Sequence, residues 1–172
     1  MLTIRELNFV LSQPPSACAE IQGTISHPNL FGLANFYSIS SGVLLFIRVT
    51  GLPFDAQACG PSFFGLHIHE GVSCSGTSSS PFANIGGHYN PHRCAHPEHA
   101  GDLPSLIANR GDALMIVLTG SFAVEEIIGR TISIHAGPDT FTAEHNGGRD
   151  LASIACGVIL EGPCIPDNMV FN

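Results

Sequence analysis

Apolar residues along this chain fall into short runs, several of them alternating with polar residues at a period of two. Such alternation predicts half-buried strands, whose successive side chains point to opposite faces. Residues 17–26, 33–39 and 42–49 read as three strands, with His27-Pro28-Asn29 and Ser40-Ser41-Gly42 supplying turn residues between them. The run Val43-Leu44-Leu45-Phe46-Ile47 is apolar at every position and predicts a strand covered on both faces. A fourth strand is expected at 64–69, after a loop that opens Gly51-Leu52-Pro53, and residues 113–119, 131–135 and 153–160 complete the set. Little of the chain reads as helix.

From Glu70 to about Arg110 the pattern changes, and Gly, Ser, Pro and His dominate with no hydrophobic period. A loop this long is uncommon in a compact domain unless it is functional or held by something other than a core. Metal ligands and a disulfide would hold it. With no repeat, low-complexity tract or long linker, residues 1–172 read as one domain, an all-β antiparallel sandwich or barrel with one large organised loop. Composition agrees: 44% hydrophobic and 12% charged residues argue against disorder, while 19 glycines and 12 prolines argue against a helical bundle.

Charge narrows the function classes. The formal net charge is −8, and all six basic residues are arginines. Such a chain offers no basic stripe to nucleic acid and little attraction to an anionic membrane surface. No apolar run approaches the roughly 18 residues of a membrane-spanning helix. Arg5 and Glu6 interrupt anything resembling a secretory leader, so a cytoplasmic location is the default expectation if residue 1 is the native start. The six cysteines include no C-x-x-C pair and do not resemble a mini-protein disulfide scaffold.

Histidine carries the candidate chemistry. In His67-Ile68-His69, positions i and i+2 of a strand put both imidazoles on one face, at the strand end beside the irregular region. His88, His92, His96, His99 and Asp102 follow in a short stretch, and imidazoles with one carboxylate form a typical Zn²⁺ ligand set. His135 ends the alternating strand Ile132-Ser133-Ile134. The ligand count suggests two metals, since one imidazole can serve two ions through its two nitrogens if it loses both protons. An all-nitrogen site favours Cu²⁺, and the site with the carboxylate suits Zn²⁺.

The segments GLHIHEGVSC (65–74), GGHYNP (86–91), HAGDLPSL (99–106), GRTISIHAGPDTFT (129–142) and ACGVI (155–159) closely resemble the copper/zinc superoxide dismutase family, over roughly residues 16–160. The resemblance implies a Greek-key sandwich or flattened barrel of about eight strands. It implies copper ligands His67, His69, His88 and His135, and zinc ligands His88, His96, His99 and Asp102, with His88 as a bridging imidazolate. Asp139 matches a carboxylate that links the two sites by hydrogen bonds and orients their histidines. Cys74 and Cys156 match an intrasubunit disulfide, which would close a loop of about eighty residues and contribute roughly 4–5 kcal/mol in the chain-entropy model. The implied reaction is dismutation of superoxide to O₂ and H₂O₂ by a redox-cycling copper, with His88 passing a proton to product. His27, His92 and His145 match no ligand position, and Cys18, Cys59 and Cys164 receive no role.

Two departures from the family pattern stand out. Ser153 occupies the position, three before Cys156, where the family places a guiding arginine; Arg149 is the nearest replacement, with a solvated surface arginine as the alternative. The step from His96 to His99 is unusually short, which leaves open a distorted zinc site, His92 or Cys94 as substitute ligands, or a copper-only enzyme. A non-catalytic metal carrier or structural module on the same fold is the competing reading. A homodimer is compatible with the sequence, which marks no interface. The expected disulfide favours an oxidising compartment, against the cytoplasmic default.

Overall fold

The period-two runs close into a barrel. In the computed structural model, which describes residues 2–140 and 152–164, the strands are β1 (Ala17–Gly23), β2 (Phe31–Ile39), β3 (Gly42–Thr50), β4 (Ser62–His69), β5 (Asp102–Asn109), β6 (Asp112–Thr119), β7 (Thr131–His135) and β8 (Ser153–Val158). They pair antiparallel in the order β2-β3-β6-β5-β4-β7-β8-β1, and β1 pairs back onto β2. Closure leaves this ring no free edge. The connections β3→β4 and β6→β7 each pass over two intervening strands, which is the Greek-key arrangement. A short β9 (Leu160–Glu161) pairs with the start of β1, Cys18 facing Leu160.

Alternate residues fill the interior. Along β3, Val43, Leu45, Ile47 and Val49 are all buried in the core with Ile21, Ala34, Phe36, Leu66, Leu106, Ile132 and Ile134. The run 43–47 is covered on both faces only at its start: Leu44 is buried beside its register partners Tyr37 and Leu118, Phe46 is half-buried, and Arg48 is exposed.

Three elements differ from expectation. Strand β5 lies inside the stretch expected to be irregular. Its alternation is broken because Phe64 faces Leu106 whereas Leu66 faces Leu103, so two steps on β4 answer three on β5. Pro104 and Ser105 occupy that bulge, a position where a missing N–H costs little. Strand β1 ends at Gly23 rather than Ser26, because the chain turns there with Gly23 N–H donating to Leu30 O. Residues 4–11 form a helix, α1 (Ile4–Leu11), started by a capping box in which Thr3 and Glu6 satisfy one another's backbone N–H groups. A single turn, α2 (Val124–Ile127), precedes β7.

Two disulfides staple the barrel. Cys74–Cys156 ties the long loop to β8, and Cys18–Cys164, whose partners are separated by 146 positions in the sequence, ties β1 to the segment after β9. The second corrects the expectation that Cys18 and Cys164 have no role. Cys59 and Cys94 are free and exposed.

Opening either disulfide by Cys→Ser substitution is expected to lower unfolding stability in urea by about 2–5 kcal/mol. Cys18→Ser should do so with metal retention unchanged, whereas Cys74→Ser should also weaken metal binding by releasing the ligand loop. Equal metal retention in both variants would contradict the distinct role given to the loop staple.

Candidate metal centre

The barrel's outer face at the end of β4 and β7 is where the histidines meet. Leu66 and Ile68 point into the core, so His67 and His69 take the opposite face, yet both are buried because the long loop covers them. His67 pairs with Ser133 of β7, and a register irregularity after Ile134 precedes His135, which lies beside the same face. Residues 85–89 of the loop run along the end of β4: Glu70 N–H donates to Gly87 O, Gly71 N–H to Ile85 O and Tyr89 N–H to Ile68 O. That pairing sets His88 opposite His69. Gly101 completes the anchor, with Ile68 N–H donating to Gly101 O and Gly101 N–H to Tyr89 O. A Cβ at Gly101 would meet Ile68 O at 2.3 Å, so only glycine permits this approach.

The side chains form two groups of possible ligands. His67, His69, His88 and His135 bring one nitrogen each within 4.8 Å of the others, and His88, His96, His99 and Asp102 do the same with three nitrogens and an oxygen. His88 belongs to both. Its Nδ1 lies 2.7 Å from Asp102 Oδ1 and 3.3 Å from His99 Nδ1, which leaves Nε2, across the ring, for the first group. Asp139 spans the pair of groups, its Oδ2 2.7 Å from His67 Nε2 and its Oδ1 2.8 Å from His96 Nε2.

These contacts dictate where protons sit. A carboxylate or carbonyl only accepts, so His67 and His96 carry their proton on Nε2, toward Asp139. His69 carries its own on Nδ1, donated to Gly86 O at 3.0 Å. The inward nitrogens of these rings then present lone pairs. His67 Nδ1 and His96 Nδ1 are buried with no hydrogen-bond partner among the described residues. His96 Nδ1 lies 3.0 Å from Asp102 Oδ2 without hydrogen-bond geometry, two acceptors facing one another. His69 Nε2 sits 3.3 Å from His135 Nε2. Buried acceptors arranged this way are satisfied by a cation, so the donor sets fit bound metal ions: four imidazoles suit copper, and three imidazoles with a carboxylate suit zinc.

Burial resists adding protons instead. It is the main cause that pushes His67 down to about 4 and His69 down to about 3, with neighbouring histidines adding to the effect and Asp139 or Gly86 O opposing it. For Asp102, burial acts upward, but the hydrogen bond and charge of His88, with His99 and His96, outweigh it and hold the carboxyl below its ordinary range.

The sequence of residues 32–159 matches the family model described as copper/zinc superoxide dismutase. The chain belongs to the copper/zinc superoxide dismutase family. A superoxide dismutase [Cu-Zn] 2 of Aquifex aeolicus is 31% identical over 163 residues, 86% of this chain and 88% of that protein. The superoxide dismutase [Cu-Zn] of Photobacterium leiognathi is 36% identical over 115 residues, spanning 58% of this chain and 65% of its own length. The mouse extracellular superoxide dismutase [Cu-Zn] is 30% identical, covering 76% of this chain and 54% of that protein. Among solved structures, the Cu/Zn superoxide dismutase from Brucella abortus superposes with a TM-score of 0.64 at 26% identity, covering 83% of this chain and 98% of its own.

The short His96–His99 step does not keep these rings from reaching Asp102 together. His92 and Cys94 are exposed and belong to neither group. Ser153, where the family pattern has an arginine, is the register partner of His135 and so lies beside the first group. Arg149 and His145 lie outside the described residues. His27 Nδ1 is 3.0 Å from the Thr24 hydroxyl in the turn after β1. Sequence reasoning missed the Gly86 carbonyl that orients His69, since any residue supplies a carbonyl. Arg130 lies half-buried beside the Tyr89 ring, a contact that the sequence alone does not display.

The depressed histidines set a pH dependence for the metal-free protein. Their folded values lie below the unfolded value near 6.5, so protons bind the unfolded chain more readily and their contribution is present above about pH 6.5. It is lost as pH falls toward about 4 and then 3; Asp102, also depressed, adds a loss below its ordinary value of 3.8. Thermal unfolding of metal-free protein should therefore show Tm falling between pH 6.5 and 4, and a flat profile there would contradict the buried neutral state.

Proposed function

We propose that the chain is a superoxide dismutase, holding copper at His67, His69, His88 and His135 and zinc at His88, His96, His99 and Asp102. The observation that carries this reading is the sharing of His88 by two ligand groups that Asp139 also joins from behind. A carrier needs one group of ligands; a shared imidazole couples two ions. When bound, copper supplies the one-electron couple by which one superoxide becomes O₂ and a second becomes H₂O₂, while zinc supplies fixed charge without redox chemistry.

The residues then have distinct tasks. His88, whose Nδ1 lies beside Asp102 in the zinc set, would offer Nε2 as the atom that holds a proton for the peroxide product. His67 and His96 are fixed in orientation and tautomer by Asp139, as His69 is by Gly86 O. Ser153 supplies no cation beside His135, so guidance of the superoxide anion is assigned to Arg149 on sequence position alone. Two disulfides support folding in an oxidising compartment rather than the reducing cytosol.

Protein loaded with copper and zinc is expected to bind one of each per chain and to accelerate superoxide decay in a metal-dependent manner. His88→Ala should separate the two ions, changing the copper spectrum and lowering turnover by at least about 10-fold. Tight copper binding with no superoxide loss would favour the metal-carrier reading instead.

Arg149→Ala is expected to lower kcat/KM by about 10-fold at low salt and to flatten its dependence on ionic strength, within the range that steering provides. An unchanged salt dependence in that variant would remove Arg149 from the scheme.

A further inference from the structure

Arg130 is used by nothing so far described, yet its side chain reaches the residues that follow two candidate ligands. Its Cζ lies 4.2 Å from the centroid of the Tyr89 ring, its Nη1 donates to Glu70 O at 3.2 Å and its Nε donates to Glu126 O at 2.8 Å. Tyr89 follows His88, and Glu70 follows His69. The backbone of Arg130 is itself fixed, because its N–H donates to Ile127 O and its carbonyl accepts from Ile159 N–H. Thr131, the next residue, pairs with His69 and donates its hydroxyl to Gly71 O.

We propose that Arg130 is a positioning residue for the two-metal centre, clamping the loop that bears His88 against the end of β4 that bears His69. The inference rests on the reading in which His88 is shared between the metals. A shared imidazole must satisfy two ions in one orientation, so a small displacement of its backbone disturbs both. The pairing of 85–89 with β4 sets the register of that backbone through main-chain bonds alone. The guanidinium adds a side-chain link between the two, stacking on the buried Tyr89 ring through a cation–π contact while its donors satisfy the main-chain carbonyls of Glu70, at the end of β4, and Glu126. A planar, always-charged group with several donors does this; an ammonium can keep the charge over the ring but not the same fork of hydrogen bonds.

The test compares copper- and zinc-loaded wild type with Arg130→Met, Arg130→Lys and Tyr89→Leu. Zinc loss to a chelator and the electron paramagnetic resonance spectrum of the copper are measured beside thermal stability. Arg130→Met is expected to lose zinc about 10- to 100-fold more readily and to shift the copper spectrum toward that of zinc-free wild type. Arg130→Lys should recover part of both changes. Tyr89→Leu should move both readouts the same way by a smaller amount, and it decides the matter alone if Arg130→Met does not fold. A wild-type copper spectrum and wild-type zinc retention in these variants, however far Tm falls, would mean that Arg130 only stabilises the fold. The shared-ligand reading has its own control: removing zinc from wild type must change the copper spectrum, and no change there overturns the sharing of His88, independently of what Arg130 does.

Discussion

A lone pair buried with nothing to accept from is costly, and this chain holds several of them pointed at one another. Among the described residues His67 Nδ1 and His96 Nδ1 have no donor, and His96 Nδ1 faces a carboxylate oxygen. The cause lies behind the rings. Asp139 and the Gly86 carbonyl can only accept, so each draws a proton to the outer nitrogen and strips it from the inner one. Leaving such groups unpaired costs roughly 1–3 kcal/mol each, and protonating them is opposed by burial, which holds His67 and His69 well below their ordinary range. A divalent cation resolves both problems. The outer acceptors therefore select for metal without touching it.

Such an arrangement needs a frame that cannot relax away from the repulsion, and the two ligand groups find it differently. His67, His69 and His135 stand on β4 and β7, inside a closed ring of strands with Leu66, Ile68, Ile132 and Ile134 packed beneath them. His88, His96 and His99 stand on a loop with little core of its own. Backbone hydrogen bonds to the end of β4, the Cys74–Cys156 disulfide and the Asp139 bridge hold that loop. The first group is accordingly the more buried. Closing a long loop costs entropy that grows slowly with its length, so a few anchors suffice if each acts on a different stretch. Arg130, acting on Tyr89, is such an anchor.

How far the sequence displayed this depended on whether a feature had a local cause. The strands were legible where alternation was unbroken, as in 131–135, and the His-x-His pair needed only the period of a strand. Strand β5 was not legible, because the bulge at Pro104-Ser105 shifts its apolar positions from one face of the pattern to the other. The Cys18–Cys164 disulfide was invisible for another reason: its partners are brought together only by the pairing of β1 with β9. Helix α1 had a readable signal in Thr3-x-x-Glu6 but is too short for its apolar period to stand out. The ligand sets came from family resemblance rather than spacing. What the structure adds is a physical reason for them, in the direction each imidazole nitrogen faces.

Ser153, at the position where the family resemblance leads one to expect a guiding arginine, sits awkwardly with a chain of net charge −8 and an anionic substrate. Distance and screening reduce the difficulty. At physiological ionic strength, exposed charges further away than about 8 Å are largely screened, so acidic groups scattered over the surface weigh less than the charge at the site itself. Under the proposed assignment, two divalent cations face the carboxylates of Asp102 and Asp139 and one imidazolate. That leaves a local excess of about one positive charge where field lines are least screened. The metals thus attract the anion that the surface as a whole repels. An added arginine would increase the rate of encounter without creating the attraction, which is why its usual position can be given up before any of the histidines can.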